Sequence, residues 1–130
     1  MRLNHVAIAV KSLDGAIDTY TRNLGARLKS RKVVDPEGVE IAVLELDNTH
    51  IELLTPVDAD NGVAKFMKNR GEGLHHLCFE VDNIESLIQT LKASNIKLIN
   101  DTPRVGADGS KVIFAHPSST NGVLLEFYGK

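Results

Sequence analysis

One stretch of this chain occurs twice at a fixed spacing, and the duplication limits the folds open to it. Leu3-Asn4-His5-Val6-Ala7-Ile8-Ala9-Val10 is answered by Leu74-His75-His76-Leu77-Cys78-Phe79-Glu80-Val81, with His5 and His76 71 residues apart. In both copies apolar residues alternate strictly: Val6, Ile8 and Val10 in one, Leu77, Phe79 and Val81 in the other. A period of two is the signature of a half-buried strand. The opposite face carries His5 with Ala7 and Ala9, and His76 with Cys78, so small residues leave room beside each imidazole. The same offset relates Leu13, Ala16, Ile17 and Tyr20 to Ile84, Leu87, Ile88 and Leu91, the apolar stripe of a helix in each case. Ser12 and Asn83, both good N-cap residues, precede the two stripes. The chain is an internal duplication whose period is too long for a solenoid repeat.

Its 130 residues suit one domain, with module one at about 1–56, a linker at 57–73 and module two at about 74–130. A module of this size is marginal alone, so the two are expected to share a core. The net charge of −2 comes from interspersed acids and bases, which argues against a nucleic-acid partner. One cysteine, Cys78, excludes an internal disulfide framework. No leader and no long apolar run is present, so a cytoplasmic protein with no membrane partner is expected.

Within module one, a strand at about 3–10 leads to a helix from Ser12 to about Leu24, which Gly25 should stop. Strands follow at 28–34, 39–46 and 50–54, divided by Asp35-Pro36-Glu37-Gly38 and Asp47-Asn48 and ended by Pro56. The order is β-α-β-β-β. The linker is polar, with a short helical stripe at Val63, Phe66 and Met67. Module two repeats the order: a strand at 74–81, a helix opening on the capping-box pattern Asp82-x-x-Glu85, then strands near 96–99, 111–115 and 122–127. Gly106 and Gly109 shape the loop before 111, and the last hairpin, His116 to Asn121, is the longer one.

The fourth strand of each module holds an acid among apolar residues, Glu52 in Ile51-Glu52-Leu53-Leu54 and Glu126 in Leu124-Leu125-Glu126-Phe127. A carboxylate in such a setting needs a partner, a hydrogen bond or a metal. Pseudo-symmetry therefore yields a four-ligand set, His5, Glu52, His76 and Glu126, which converges if the modules pair their sheets. Two imidazoles and two carboxylates suit a borderline divalent ion such as Co, Ni, Zn or Mn, one per chain. Taken singly, each His reads as a satisfied strand residue and each Glu as an edge carboxylate; the duplication is what joins them. His50 shares the face of Glu52 as a rival ligand. Cys78 reads as a cavity wall, His75 as structural, and His116-Pro117 as turn chemistry or a rim group.

These segments resemble the vicinal oxygen chelate (glyoxalase/bleomycin resistance/dioxygenase) superfamily over the whole chain, and within it the methylmalonyl-CoA epimerases. The residues that carry the resemblance are Leu3 to Val10, Glu52-Leu53-Leu54-x-Pro56, Gly73 to Asp82, Phe114-x-His116-Pro117 and Asn121 to Glu126. The resemblance implies an α+β fold of two paired βαβββ modules forming a cup-shaped sheet around one metal, in a homodimer. It implies His5, Glu52, His76 and Glu126 as metal ligands; the epimerases vary between Gln and Glu at the place of Glu52. The implied activity is inversion at C2 of a small-molecule acyl-CoA, methylmalonyl-CoA, through a metal-stabilised enolate, with Glu126 and Glu52 as the catalytic acids on opposite modules. The family's further, non-ligand acid comes from the third strand, where Glu40 stands within one residue of the matching place. Lys68, Arg104 and Lys111 are candidates for the CoA phosphates.

Two other functions fit the same scaffold. Glyoxalase I (lactoylglutathione lyase) uses a His, Glu, His, Glu set in its bacterial forms. His116-Pro117-Ser118-Ser119, where that enzyme tends to carry Asp-Pro-Asp-Gly, and the doubled His75-His76 favour the epimerase. Metal-free resistance proteins that sequester small molecules lack a complete ligand set, whereas this chain has all four residues.

Overall fold

Alternation makes a strand of β1 (Arg2–Ala9), and Ser12 begins a helix after it by accepting the Gly15 N–H on its hydroxyl. The computed structural model describes residues 1–105 and 109–130. They divide into two compact units: His5–His75, and Met1–Asn4 with His76–Lys130. No helix among the described residues is long and apolar enough to cross a membrane.

In the His5–His75 unit, β1 leads into α1 (Leu13–Asp18), which widens into a π-helical turn at Thr19–Asn23. Gly25, at φ 83°, ends it as expected. Strands β2 (Arg27–Val34), β3 (Val39–Glu45) and β4 (His50–Pro56) follow. The order across the sheet is β2-β3-β4-β1, with β1 parallel to β4 and the other pairs antiparallel. One face packs Val10, Ala42, Leu44 and Leu53 against Leu13, with Ile17 and Tyr20 beside them. The other face packs Ala7, Ala9, Val39 and Leu54 against Val63, with Phe66 and Met67. Those last three belong to α2 (Gly62–Arg70), a full helix within 57–73. Part of the room left by Ala7 and Ala9 is therefore filled by this unit's own helix.

In the other unit, β5 (Gly73–Val81) precedes α3 (Ile84–Ala93). β6 (Arg104–Val105), β7 (Lys111–Ala115) and β8 (Leu125–Gly129) complete it. The order is β5-β8-β7-β6, with β5 parallel to β8. That is the first unit's arrangement repeated strand for strand, so the duplication read from the sequence is a duplication of topology. Val81, Ile113 and Phe127 pack against Ile84 and Ile88 of α3. Gly129 is needed where β8 meets β5, because a Cβ there would stand 2.2 Å from the Val81 carbonyl oxygen.

Three local expectations change. Of the two starts read for α3, Asn83, the match of Ser12, is the N-cap and accepts the Ser86 N–H at 3.0 Å, while Asp82 of the capping-box pattern is not the capping residue. The stretch 96–99 is not a regular strand. It meets β7 through one bridge, Leu98 to Ala115, and its apolar residues Ile96 and Leu98 serve the core under α3. The Asn100 side chain then donates to the Thr102 carbonyl in a turn, Pro103 has no N–H to offer, and pairing resumes only at β6. Finally, β8 starts at Leu125, since Asn121 and Gly122 at positive φ still belong to the turn. Gly106, expected to shape the loop before β7, lies outside the described residues.

Candidate functional site

Register places the first His–Glu pair. Ala7 on β1 stands opposite Glu52 on β4, and His5 opposite His50, so His5, Ala7 and Glu52 share one face. His5 Nε2 lies 3.5 Å from Glu52 Oε2, with side chains 12% and 18% exposed. His50 shares the face but lies 3.8 Å from Glu45 instead. Glu40 does not. It pairs with Thr55, one residue out of phase with the Val43–Glu52 pair, and so projects from the face that carries α1. There it accepts a hydrogen bond from Arg31 Nε at 2.8 Å, and Arg31 also pairs with Asp14 of α1. Glu40 first, then Asp14, raises the Arg31 pKa, and the three residues form a strut between β2, β3 and α1.

The second pair repeats the geometry. Cys78 stands opposite Glu126 in the β5–β8 register, and alternation brings His76 onto the same face. His76 Nε2 lies 3.5 Å from Glu126 Oε1, with side chains 8% and 17% exposed. The Phe114 ring meets His76 edge-on at 6.2 Å, closing one side of the imidazole. Cys78 is buried beside the pair, as a wall residue would be. In both pairs the facing atoms are Nε2 and a carboxylate oxygen.

The 3.5 Å separations exceed the roughly 2.7–2.9 Å of a charge-assisted hydrogen bond. Two ligand atoms that each bind one ion at about 2.0–2.2 Å stand roughly 3.0–3.4 Å apart, close to what is seen. Neutral imidazole plus carboxylate is also a donor set that zinc, cobalt, nickel and manganese accept. Each imidazole–carboxylate pair is therefore spaced as two ligands of one divalent ion would be.

Alternation along β8 carries a further group that the sequence reading passed over. Tyr128 lies two residues beyond Glu126, opposite Glu80 on the same face as Glu126. Its hydroxyl accepts from the Asn4 side-chain amide at 3.0 Å, and Glu80 lies 3.3 Å from Arg2. Burial first, and then the charge of Glu80, pushes the Tyr128 hydroxyl above its ordinary pKa. The signal was present, since Glu126-x-Tyr128 repeats the period of two. Of the expected phosphate contacts, Lys111 is engaged by Glu85 of α3, Arg104 lies on β6 and Lys68 on α2. His75 stacks edge-on against Phe66 at 4.9 Å, the structural part expected of it.

Two βαβββ modules, each presenting one imidazole and one carboxylate from its first and fourth strands, define a class of protein. The sequence pattern of the Glyoxalase/Bleomycin resistance protein/Dioxygenase superfamily matches residues 4–114, and the chain belongs to that superfamily. Within it the chain is similar to the mitochondrial methylmalonyl-CoA epimerase of Homo sapiens, at 42% identity over 126 residues, covering 96% of this chain and 72% of that one. It is also similar to the ethylmalonyl-CoA/methylmalonyl-CoA epimerase of Cereibacter sphaeroides, at 39% identity over 127 residues and coverages of 96% and 95%. A variant of the Streptomyces coelicolor methylmalonyl-CoA epimerase, solved with 2-nitronate-propionyl-CoA, superimposes with a TM-score of 0.89 at 28% identity, covering 100% of this chain and 94% of that one.

Proposed function

We propose that this chain is an isomerase that inverts C2 of methylmalonyl-CoA, using one divalent ion held by His5, Glu52, His76 and Glu126. The observation that carries the reading is the repeated Nε2-to-carboxylate pair at 3.5 Å, one in each module. The substrate is inferred from relatives named for it at 39–42% identity over 96% of the chain. When bound, the ion supplies Lewis acidity toward the oxygens that flank C2.

The carboxylates carry the proton chemistry. One of Glu52 and Glu126 accepts the C2 proton, and the electron pair of the broken C–H bond moves into the thioester carbonyl as an enolate. A protonated carboxyl on the opposite side returns a proton to C2, which completes the inversion. His5 and His76 hold these carboxylates in place from adjacent strands, and the low exposure of both pairs keeps bulk water from competing. Glu40 takes no part, because its side chain is held by Arg31 on the other face of β3. A single domain of two modules, one ion of Co, Ni, Zn or Mn, a homodimer and a cytoplasmic setting complete the reading.

The test is proton NMR of methylmalonyl-CoA in D₂O with the protein and Co²⁺, following loss of the C2 hydrogen, beside a tube of methylglyoxal and glutathione. Exchange at C2 with an idle second tube is the expected result. Lactoylglutathione forming while C2 stays protonated would keep the metal chemistry and reject the substrate.

A further inference from the structure

His116 follows β7, and its imidazole is held from one side. Nδ1 accepts the Ser118 backbone N–H at 3.0 Å and lies 2.8 Å from Ser118 Oγ, which caps the 3₁₀ turn Pro117–Ser119. A backbone N–H can only donate, so Nδ1 presents a lone pair and carries no proton. The ring is then the neutral tautomer with its hydrogen on Nε2. Among the described residues nothing accepts that hydrogen. Among the described residues, then, the turn leaves a fixed donor unused.

The strand sets the face on which this residue lies. Phe114 is paired with Glu126, and its ring meets His76. His116 comes two residues later with extended backbone, φ −70° and ψ 137°, so it continues the face of Phe114. It is the diagonal neighbour of Glu126, and such neighbours are about 7–8 Å apart, within reach of a long side chain. A half-buried N–H donor beside a carboxylate that works on the acyl group is placed to hold an anionic oxygen of that group.

We propose that His116 binds substrate, donating Nε2–H to the free carboxylate of the acyl thioester that lies against Glu126. The proposal rests on the epimerase reading and deepens it, because it makes His116 a selector for acyl-CoA molecules that carry a second carboxylate. The donor is neutral, already oriented, and needs no ordering on binding.

The test uses the full chain supplied with Zn²⁺, titrated with malonyl-CoA and, separately, with butyryl-CoA, which lacks the carboxylate. His116→Asn separates the two roles of the ring. Asn caps a turn well through Oδ1, but it has no donor that reaches as far. The melting temperature and zinc content of this variant should match wild type, while its dissociation constant for malonyl-CoA rises roughly ten- to a hundredfold. Butyryl-CoA binding should not change. Long-range ¹H–¹⁵N NMR should show the Nε2–H tautomer in the free protein and a shift of that nitrogen on adding malonyl-CoA. The Nδ1–H tautomer, or wild-type malonyl-CoA affinity in His116→Asn, would overturn the proposal. Failure of the epimerase reading looks different: wild type itself would not bind malonyl-CoA.

Discussion

Single side chains decide most of what this site can do, and two of them give sharp tests. Glu126 meets the His76 imidazole and in the proposed reaction also moves the C2 proton, so Glu126→Gln should fold normally yet lower kcat by orders of magnitude. Circular dichroism and a stopped D₂O exchange assay would check this, and an unchanged turnover number would remove Glu126 from the chemistry. Tyr128 gives a prediction about pH. Its folded pKa lies above the unfolded value of about 10, so the unfolded chain loses this proton first as pH rises. The stability contributed by the protonated hydroxyl is complete below about pH 10 and is lost as pH climbs through the folded value. Thermal melts at pH 8 to 11 should therefore fall more steeply for wild type than for Tyr128→Phe. Parallel slopes would mean that burial and Glu80 do not govern this hydroxyl.

Among the elements, α2 was the least legible. Its stripe of Val63, Phe66 and Met67 is visible in the sequence, but what the stripe covers is not, because Ala7, Ala9 and Leu54 are distant along the chain. Its anchor is equally non-local. Asn61 Oδ1 accepts the Ala64 N–H at 2.9 Å, while Nδ2 donates to the Gly38 carbonyl at 2.9 Å, tying the helix start to the β2–β3 hairpin. Gly38 sits at φ 63°, and a Cβ there would press on Asp58. Asn61→Ala should cost about 1–2 kcal/mol, seen as a loss of roughly 3–8 °C in melting temperature, and Asn61→Ser, which keeps only the cap, should recover part of it. Equal losses in the two variants would assign the whole effect to the hairpin contact. The first and fourth strands of each module were readable because alternation fixes which residues share a face, and that was enough to put His5 with Glu52 and His76 with Glu126. The stretch 96–99 misled for the opposite reason. Ile96 and Leu98 are apolar to fill the core under α3, and hydrophobicity alone does not distinguish that from strand pairing. Glu40 was ambiguous by one residue along the strand, and one residue is the difference between the two faces of β3.

For the molecule as a whole, the proposed function asks one metal centre to take half its ligands from each module, and this can be tested without any substrate. An ion that binds only the folded chain stabilises it by about 2.7 kcal/mol at a free concentration a hundred times its dissociation constant. For a chain of this size that is a rise of roughly 10 °C in melting temperature. Chelator treatment followed by Zn²⁺ or Co²⁺ should lower and then restore the transition by that order. The ligand division enters through the variants. If His5 and His76 serve one ion, His5→Ala and His76→Ala should each abolish most of the metal-dependent rise, although the two substitutions lie in separate units of the fold. Their effects should also fail to add, since a centre lost through one ligand cannot be lost again through the other. Should His5→Ala keep the full rise while His76→Ala removes it, the ion would belong to the His76–Glu126 pair alone. The duplicated pair at His5 and Glu52 would then be a relic of the repeat that holds no metal, and Glu52 would lose its assigned part in proton transfer.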